Sequence, residues 1–343
     1  MRESAPRVLG TGLVALDIVV SSDSDSPVQA WAGGTCGNVL SILAWLGWDA
    51  YPIARMNDDA ASSRVRADLQ RWGVHLDLAS CAPATSTPII VQEIRQPRNG
   101  GSTHKFSWSC LRCGGWLPSF KPVTRAVVEH AAPYIPGTSV FFFDRVSRAA
   151  LDMAAQAVSS GAVVMFEPSG RGEVKLYEEA LSLAHIVKYA DQRMAPETQE
   201  GSSKNLLLEI QTLGGAGLRY RLPQHKRNPR WRAMKAVGIK TVVDSCGSGD
   251  WTSAGLLSKL AAGGLGPLQG ASAATVSSAL KYGQELAARN CAFEGARGAM
   301  YMANPSPSEE LYSPDDPGPE TAVRTQDDRF SAALVGCPKC EAA

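Results

Sequence analysis

The chain has 343 residues, 44% hydrophobic and 20% charged, with a formal net charge of +1. That is enough apolar chain for one large α/β domain or two modest ones, and the near-balance of charge argues against nucleic acid or an anionic membrane as a partner. No run of ~18 apolar residues occurs, and the opening MRESAPRVLG has no apolar export segment, so the expectation is a cytoplasmic protein with reduced thiols and no membrane span.

In chain order, residues 7–20 are apolar and β-branched, broken by glycines. Val39, Ile42, Leu43 and Leu46 recur at i, i+3, i+4, i+7, one face of a helix that Gly47 would stop. Residues 51–56 read as a strand, and residues 60–72 as a helix with Val65, Leu69 and Trp72 on one side and Gly73 closing it. Residues 88–110 alternate on both sides of a Pro/Gly/Asn turn, which predicts a β-hairpin. With residues 19–32 it would make a small separate sheet, a lid over one end of the main domain. The rhythm then resumes: "SVFFFD", a helix over 147–159, "AVVMFEPSG", a helix over 174–184, "IVKYA", "LLLEIQTLGG", a strand over 238–243, and helices over 251–262 and 271–289.

Continuous apolar strands separated by helices suit a parallel sheet covered on both faces. The predicted fold is α/β, a three-layer α/β/α domain over residues 1–303 with a mostly parallel central sheet and the β lid. From Asn304 onward Pro, Ser, Asp and Glu dominate without periodicity, so residues 304–343 are expected to be a disordered tail.

In such sheets, ligands bind beyond the carboxyl ends of the strands. Residues 242–255, "VVDSCGSGDWTSAG", have that context: strand, glycine-rich turn, helix. Gly247 and Gly249 let main-chain amides converge at the helix start, a natural anion site. Asp250 beside it is placed to take a proton from an attacking hydroxyl. Asp244, at the strand end, is a candidate for holding magnesium through water. The same string also serves as an ordinary turn with Asp250 as an N-cap. Three other stretches bear on the choice. Asp17 ends "GTGLVALD" inside an apolar run, Gly33 and Gly34 precede a helix beginning near Asn38, and "TLGGAGLRY" joins two strands through Gly214, Gly215 and Gly217.

Taken in this order, the four stretches resemble the ribokinase-like, or phosphofructokinase-B, family of sugar and nucleoside kinases, over about residues 7–302. The family's D-T-x-G-A-G-D motif stands here as Asp244-Ser-Cys-Gly-Ser-Gly-Asp250, which implies that Asp250 is the catalytic base and that Gly247, Ser248 and Gly249 form the anion hole. The G-G-x-x-x-N signature is matched by Gly33, Gly34 and Asn38, and Asp17 matches the first substrate carboxylate; the resemblance implies that these four bind the sugar. Thr212, Gly214 and Gly217 match a phosphate-contacting T-x-G-x-x-G. Lys188 falls on the nucleotide side, and Gly295 and Ala296 resemble a late Gly-Ala segment near the adenine. ATP and Mg2+ are implied, with room for K+, as are a small sugar or nucleoside substrate and a homodimer paired through the lids. The family's N-x-x-E is missing. Aligned on Lys188, Ala190 stands for the Asn and Arg193 for the Glu, with Asp191 out of register.

Two other readings remain beside a sugar kinase. One is a nucleoside kinase of the same fold, and the other a binding sensor with little turnover, suggested by Ala190 and Arg193. "GTGLVA" fits a dinucleotide fingerprint but is not followed by an amphipathic helix, and no P-loop motif occurs. The nine basic residues over 219–240 are read as a solvated face that would also attract ATP phosphates. Asp144 and Arg145 are candidates for the pocket from topology alone. Two C-x-x-C pairs, Cys110/Cys113 and Cys337/Cys340, have the composition of a tetrahedral zinc site. They lie far apart in the chain, one in the expected tail, so the expectation is reduced surface thiols.

Overall fold

The computed structural model describes residues 4–23, 25–81, 85–95, 103–193, 203–223, 230–301 and 337–341. Nine strands form the central sheet in the order β13-β12-β11-β10-β9-β8-β1-β4-β5. They are β1 (Arg7–Thr11), β4 (Asp49–Met56), β5 (Ala79–Cys81), β8 (Val140–Phe143), β9 (Val163–Phe166), β10 (Ile186–Ala190), β11 (Leu208–Thr212), β12 (Leu218–Arg221) and β13 (Arg232–Met234). All pairings are parallel except β11 with β12 and β12 with β13.

The strands are apolar on both sides, and alternate side chains enter two separate cores. Val8, Phe142, Val163, Met165 and Ile210 face α1 (Thr35–Trp45), α2 (Ala60–Arg71), α6 (Ser248–Leu260) and α8 (Ala273–Asn290). Leu9, Phe141, Phe143, Val164 and Phe166 face α3 (Arg125–Ala131), α4 (Arg148–Ser159) and α5 (Val174–Leu183). This is the three-layer arrangement that the strand pattern predicts. Two short helices, α3 and α7 (Leu265–Gln269), have no counterpart in the sequence expectations.

A second sheet of four strands has the order β3-β2-β6-β7, from β2 (Ala15–Val20), β3 (Gln29–Gly33), β6 (Ile89–Arg95) and β7 (Thr103–Ser107). It combines the hairpin of residues 88–110 with the segment before α1, as expected, but begins earlier, at Ala15. Asp17 therefore belongs to the lid sheet rather than to the central one.

The strand expected over residues 238–243 does not form. Once β12 and β13 have run antiparallel along the sheet edge, the chain must cross back to reach α6, and there is no ladder for these residues to join. Val242 is exposed, and Val243 N–H donates to the Cys291 carbonyl at 2.8 Å. Most of the expected tail lies outside the described residues. Its end is placed: Cys337 is buried, and Pro338–Glu341 form a single helical turn. No described helix is long and apolar enough to cross a membrane.

Candidate active site

Gly247 turns the chain into α6. Its φ of 74° lies in the left-handed region, and a Cβ there would stand 2.2 Å from the Ala296 carbonyl oxygen, so only glycine fits. No side chain caps α6. The amides of its first turn have no intrahelical acceptor and lie at the positive end of the helix, where an anion is favoured. Asp250 occupies that first turn, buried, and its Oδ2 accepts a 2.8 Å hydrogen bond from Asn38 Nδ2. Burial pushes its carboxyl well above the ordinary range and the nearby Glu167 charge adds to this, while the Asn38 hydrogen bond and Lys188 work in the opposite direction.

Asn38 connects Asp250 to Arg297. It lies on α1, whose start is Gly34 at φ 78°. Asp17 on β2 packs against Gly33 so closely that a Cβ at Gly33 would lie 1.9 Å from Asp17 Oδ2. Burial raises the Asp17 carboxyl to about 7, against the lowering effects of the Gly34 amide and Arg297. Among the described residues its buried Oδ1 has no hydrogen-bond partner. Arg297, also buried, donates from Nε to Asn38 Oδ1 at 3.1 Å and from Nη2 to Asp68 Oδ2 at 2.8 Å and to the Ala32 carbonyl, while its Nη1 has no partner among the described residues. Asp17, Asn38, Arg297 and Trp31 line a cavity whose free space is about 10 Å³, room for one water molecule. A larger surface depression of about 360 Å³, between Ile135 and Ser159, has no ionisable lining residue and is unrelated to this corner.

Lys188 is the residue expected on the nucleotide side. It is buried on β10 and pairs with Glu167, which follows β9 and whose Oε2 accepts from Ser253 Oγ on α6 at 2.7 Å. A Cβ at Gly249 would lie 3.3 Å from Lys188 Nζ, so this ion pair sits against the first turn of α6. Thr212 is the register partner of Ala190 one strand further out, and the turn Gly214–Ala216 is exposed, with Gly217 folding back beneath Met234. Asp191 and Arg193 are also exposed, and Asp191 Oδ1 accepts from Gln192 N–H. Glu167 is thus the carboxylate that the corner provides beside Asp250.

Asp144 and Arg145, at the end of β8, pair at 2.7 Å, and Asp144 Oδ1 accepts from Leu13 N–H at 2.9 Å. Burial raises Asp144 to about 6. Asp144 stands near enough to Asp250 for its charge to add to the rise of the Asp250 carboxyl.

Two expected assignments change. Asp244 stands as a candidate magnesium holder, but its buried carboxylate is already occupied. Oδ2 accepts from Gln92 Nε2 at 2.5 Å and Gly295 N–H at 2.9 Å, while Oδ1 accepts from Cys246 N–H at 2.9 Å and lies 3.6 Å from His104 Nδ1. Burial alone would raise its pKa, but these donors outweigh it and hold the carboxyl below its usual value. Gln92 and His104 belong to β6 and β7, so Asp244 latches the lid to the phosphoryl corner. Gly295 and Ala296 lie by Gly247 and Trp251, whose Nε1 donates to the Ala296 carbonyl at 3.0 Å. That places them at the start of α6.

Glu167, Arg297, Asp68, Gln92 and His104 were missed in the sequence. For Arg297 one signal was present: a lone cation in "GARGAM", a segment otherwise made for close packing.

Comparison with known proteins agrees with this geometry. The profile described as "pfkB family carbohydrate kinase" matches residues 13–301. Among solved structures, a fructokinase double mutant from Vibrio cholerae O395, in a form with fructose, ADP and potassium ion bound, superposes with a TM-score of 0.64 at 18% identity, covering 86% of this chain and 95% of that one. Ribokinase from Arabidopsis thaliana, complexed with ribose and ATP, gives 0.59 at 17% identity over 85% and 94%. Aminoimidazole riboside kinase from Salmonella enterica, with aminoimidazole riboside and an ATP analogue, gives 0.62 at 18% over 87% and 97%. No curated protein matches the sequence. With the family profile covering most of its length, the chain belongs to the pfkB family of carbohydrate kinases, which are phosphotransferases.

Proposed function

We propose that the chain transfers the γ-phosphoryl group of ATP to a hydroxyl of a small sugar or sugar-like molecule, with Asp250 as the general base. The carrying observation is the buried Asp250 carboxylate, held by Asn38 at the uncapped start of α6. The hydroxyl proton passes to Asp250 as its oxygen attacks phosphorus, and the Gly247–Gly249 amides meet the charge growing on the migrating group. Thr212, Gly214, Gly217 and Lys188 are assigned to the nucleotide phosphates. Glu167 and Asp250 bring two carboxylates to one corner with a single lysine, a donor set that fits a divalent cation arriving with ATP, which would neutralise phosphate charge. Magnesium is assigned to Glu167, whose side chain is 13% exposed against 1% for Asp244, and Asp250 is left to take the proton.

The unpartnered Asp17 Oδ1 and Arg297 Nη1 support a polyhydroxylated substrate, because one sugar hydroxyl can donate to the first while another accepts from the second. A panel of sugars and nucleosides, assayed for ADP release with Mg2+ and ATP, tests the reading. Absence of ADP from every member would overturn it. Ala190 and Arg193, standing where the N-x-x-E pattern would be, favour a second reading, binding without turnover. A thermal shift with a sugar and no ADP would select that reading.

Asp17 gives a further expected result. Its folded value of about 7 lies above the ordinary 3.8, so the folded chain holds this proton more tightly than the unfolded one. The stabilisation is complete below pH 3.8 and is lost as pH rises through about 7. Asp17→Asn is therefore expected to raise Tm by roughly 3–6 °C at pH 8 and to change it little at pH 4, because Arg297 keeps Asp68 as a partner. The same change should raise KM about 10- to 100-fold above pH 7, where wild type has an ionised acceptor. Melting curves and KM at two pH values check both halves.

A further inference from the structure

The C-x-x-C pairs expected to be surface thiols are brought together by the fold. The Sγ atoms of Cys110, Cys113, Cys337 and Cys340 all lie within 4.8 Å of one another. Cys110 and Cys340 are 3.9 Å apart, and Cys113 and Cys337 are 3.6 Å apart, across 230 and 224 residues of sequence. All four are reduced, outside any disulfide. A disulfide needs about 2.0 Å between sulfurs. Four sulfurs each about 2.3 Å from one tetrahedral zinc stand about 3.8 Å from each other, so the observed spacing is that of a metal shell.

The local chain is shaped for it. Past β7, the Ser109–Trp116 bridge closes a hairpin tip in which Cys110 N–H donates to the Gly115 carbonyl at 2.8 Å and Gly114 N–H to the Cys110 carbonyl at 2.9 Å. Gly114 takes φ 68° to make that turn. Arg112 N–H donates to Cys110 Sγ at 3.4 Å, an amide directed at sulfur. On the other side the helical turn Pro338–Glu341 brings Cys340 back over Cys337, whose carbonyl accepts from Cys340 N–H at 3.0 Å. The two tips touch: a Cβ at Gly115 would lie 2.9 Å from Lys339 Cδ and 3.3 Å from Cys113 Sγ. Cys110 and Cys337 are 4% and 0% exposed, and both belong to the core cluster that includes Leu117.

We propose that these four cysteines bind one structural zinc ion, clamping the chain's C-terminal turn to the base of the lid hairpin. Four thiol protons leave as the metal enters, and the resulting tetrathiolate carries a net charge of two minus. Arg112 and Lys339, one within each pair, supply the compensating cations. Four protein sulfurs close the shell, leaving no position for water or substrate, so the ion is structural and takes no part in phosphoryl transfer. Because the clamp closes a very long stretch of chain, its metal-binding energy adds to the stability of the fold.

The test starts from full-length wild type purified under reducing conditions without added metal. Elemental analysis is expected to give about one zinc per chain. Cys337→Ser/Cys340→Ser should reduce this at least tenfold while the far-ultraviolet circular dichroism spectrum stays unchanged. Metal-free reduced wild type given Co2+ should show intense sulfur-to-cobalt charge-transfer absorption and tetrahedral d–d bands, which the double variant lacks. Wild type without zinc that also fails to give the cobalt spectrum overturns the site, whatever the variants do. So does an unreduced intact mass lighter by two disulfides' worth of hydrogen. Equimolar iron in place of zinc overturns the assignment to zinc.

Discussion

Asp250→Asn is expected to lower kcat by about 10³-fold, the middle of the range that a positioned general base supplies, with KM changed no more than about threefold. The amide keeps the shape of the group, and its oxygen can still accept from Asn38 Nδ2, so the link from α6 to α1 survives. What it loses is the ability to take a proton from the attacking hydroxyl. The variant should melt no lower than wild type, because a charge buried next to Glu167 has been removed. Wild-type kcat should rise with pH as Asp250 ionises, from a midpoint above the usual carboxylate range, and the residual rate of the variant should lack this acid limb. A variant retaining more than about a tenth of wild-type turnover would show that the proton goes elsewhere.

The Asp250 corner was legible in the sequence because its parts are local. Gly247, Ser248, Gly249 and Asp250 are consecutive, and the left-handed turn followed by a helix start is encoded in those residue types. The face of α1 was readable from the i, i+3, i+4 recurrence of Val39, Ile42 and Leu43, all fully buried, and its end from Gly47, which takes φ 90°. The strand expected at residues 238–243 shows the opposite case. Thr241, Val242 and Val243 have strand-forming side chains, but a strand needs a neighbour, and the sheet edge had already been taken by β13. Burial of a single charge is likewise decided by tertiary packing. Nothing near Glu167 in the sequence says that Lys188 and Ser253 will meet it, and nothing near Arg297 says that Asp68, on α2, will hold it. The C-x-x-C spacings were visible as pairs, whereas their meeting depends on where β7 and the C-terminal turn come to rest.

The Glu167–Lys188 pair gives the second large expected effect, and it separates stability from catalysis. Lys188 has a side chain only 3% exposed and Glu167 one that is 13% exposed. Lys188→Met removes the cation that pairs with Glu167 and lowers the Asp250 pKa, and uncompensated buried charge of this kind costs about 3–5 kcal/mol. Chemical denaturation should report a loss of that size, and Tm should fall by roughly 10 °C. Adding Glu167→Gln should restore most of the stability, since the double variant buries no unpaired charge there, but it should not restore turnover, because the group assigned to the nucleotide phosphates and the carboxylate assigned to the metal are both gone. The acid limb of kcat supplies a readout that packing alone would not move. Lys188 lowers the Asp250 pKa and Glu167 raises it. Lys188→Met should therefore shift the limb to higher pH, Glu167→Gln should shift it to lower pH, and the double variant should lie between them in whatever residual rate survives. If Lys188→Met unfolds as late as wild type and its limb stays in place, the two side chains are not coupled to Asp250 and the metal assignment to Glu167 fails with them.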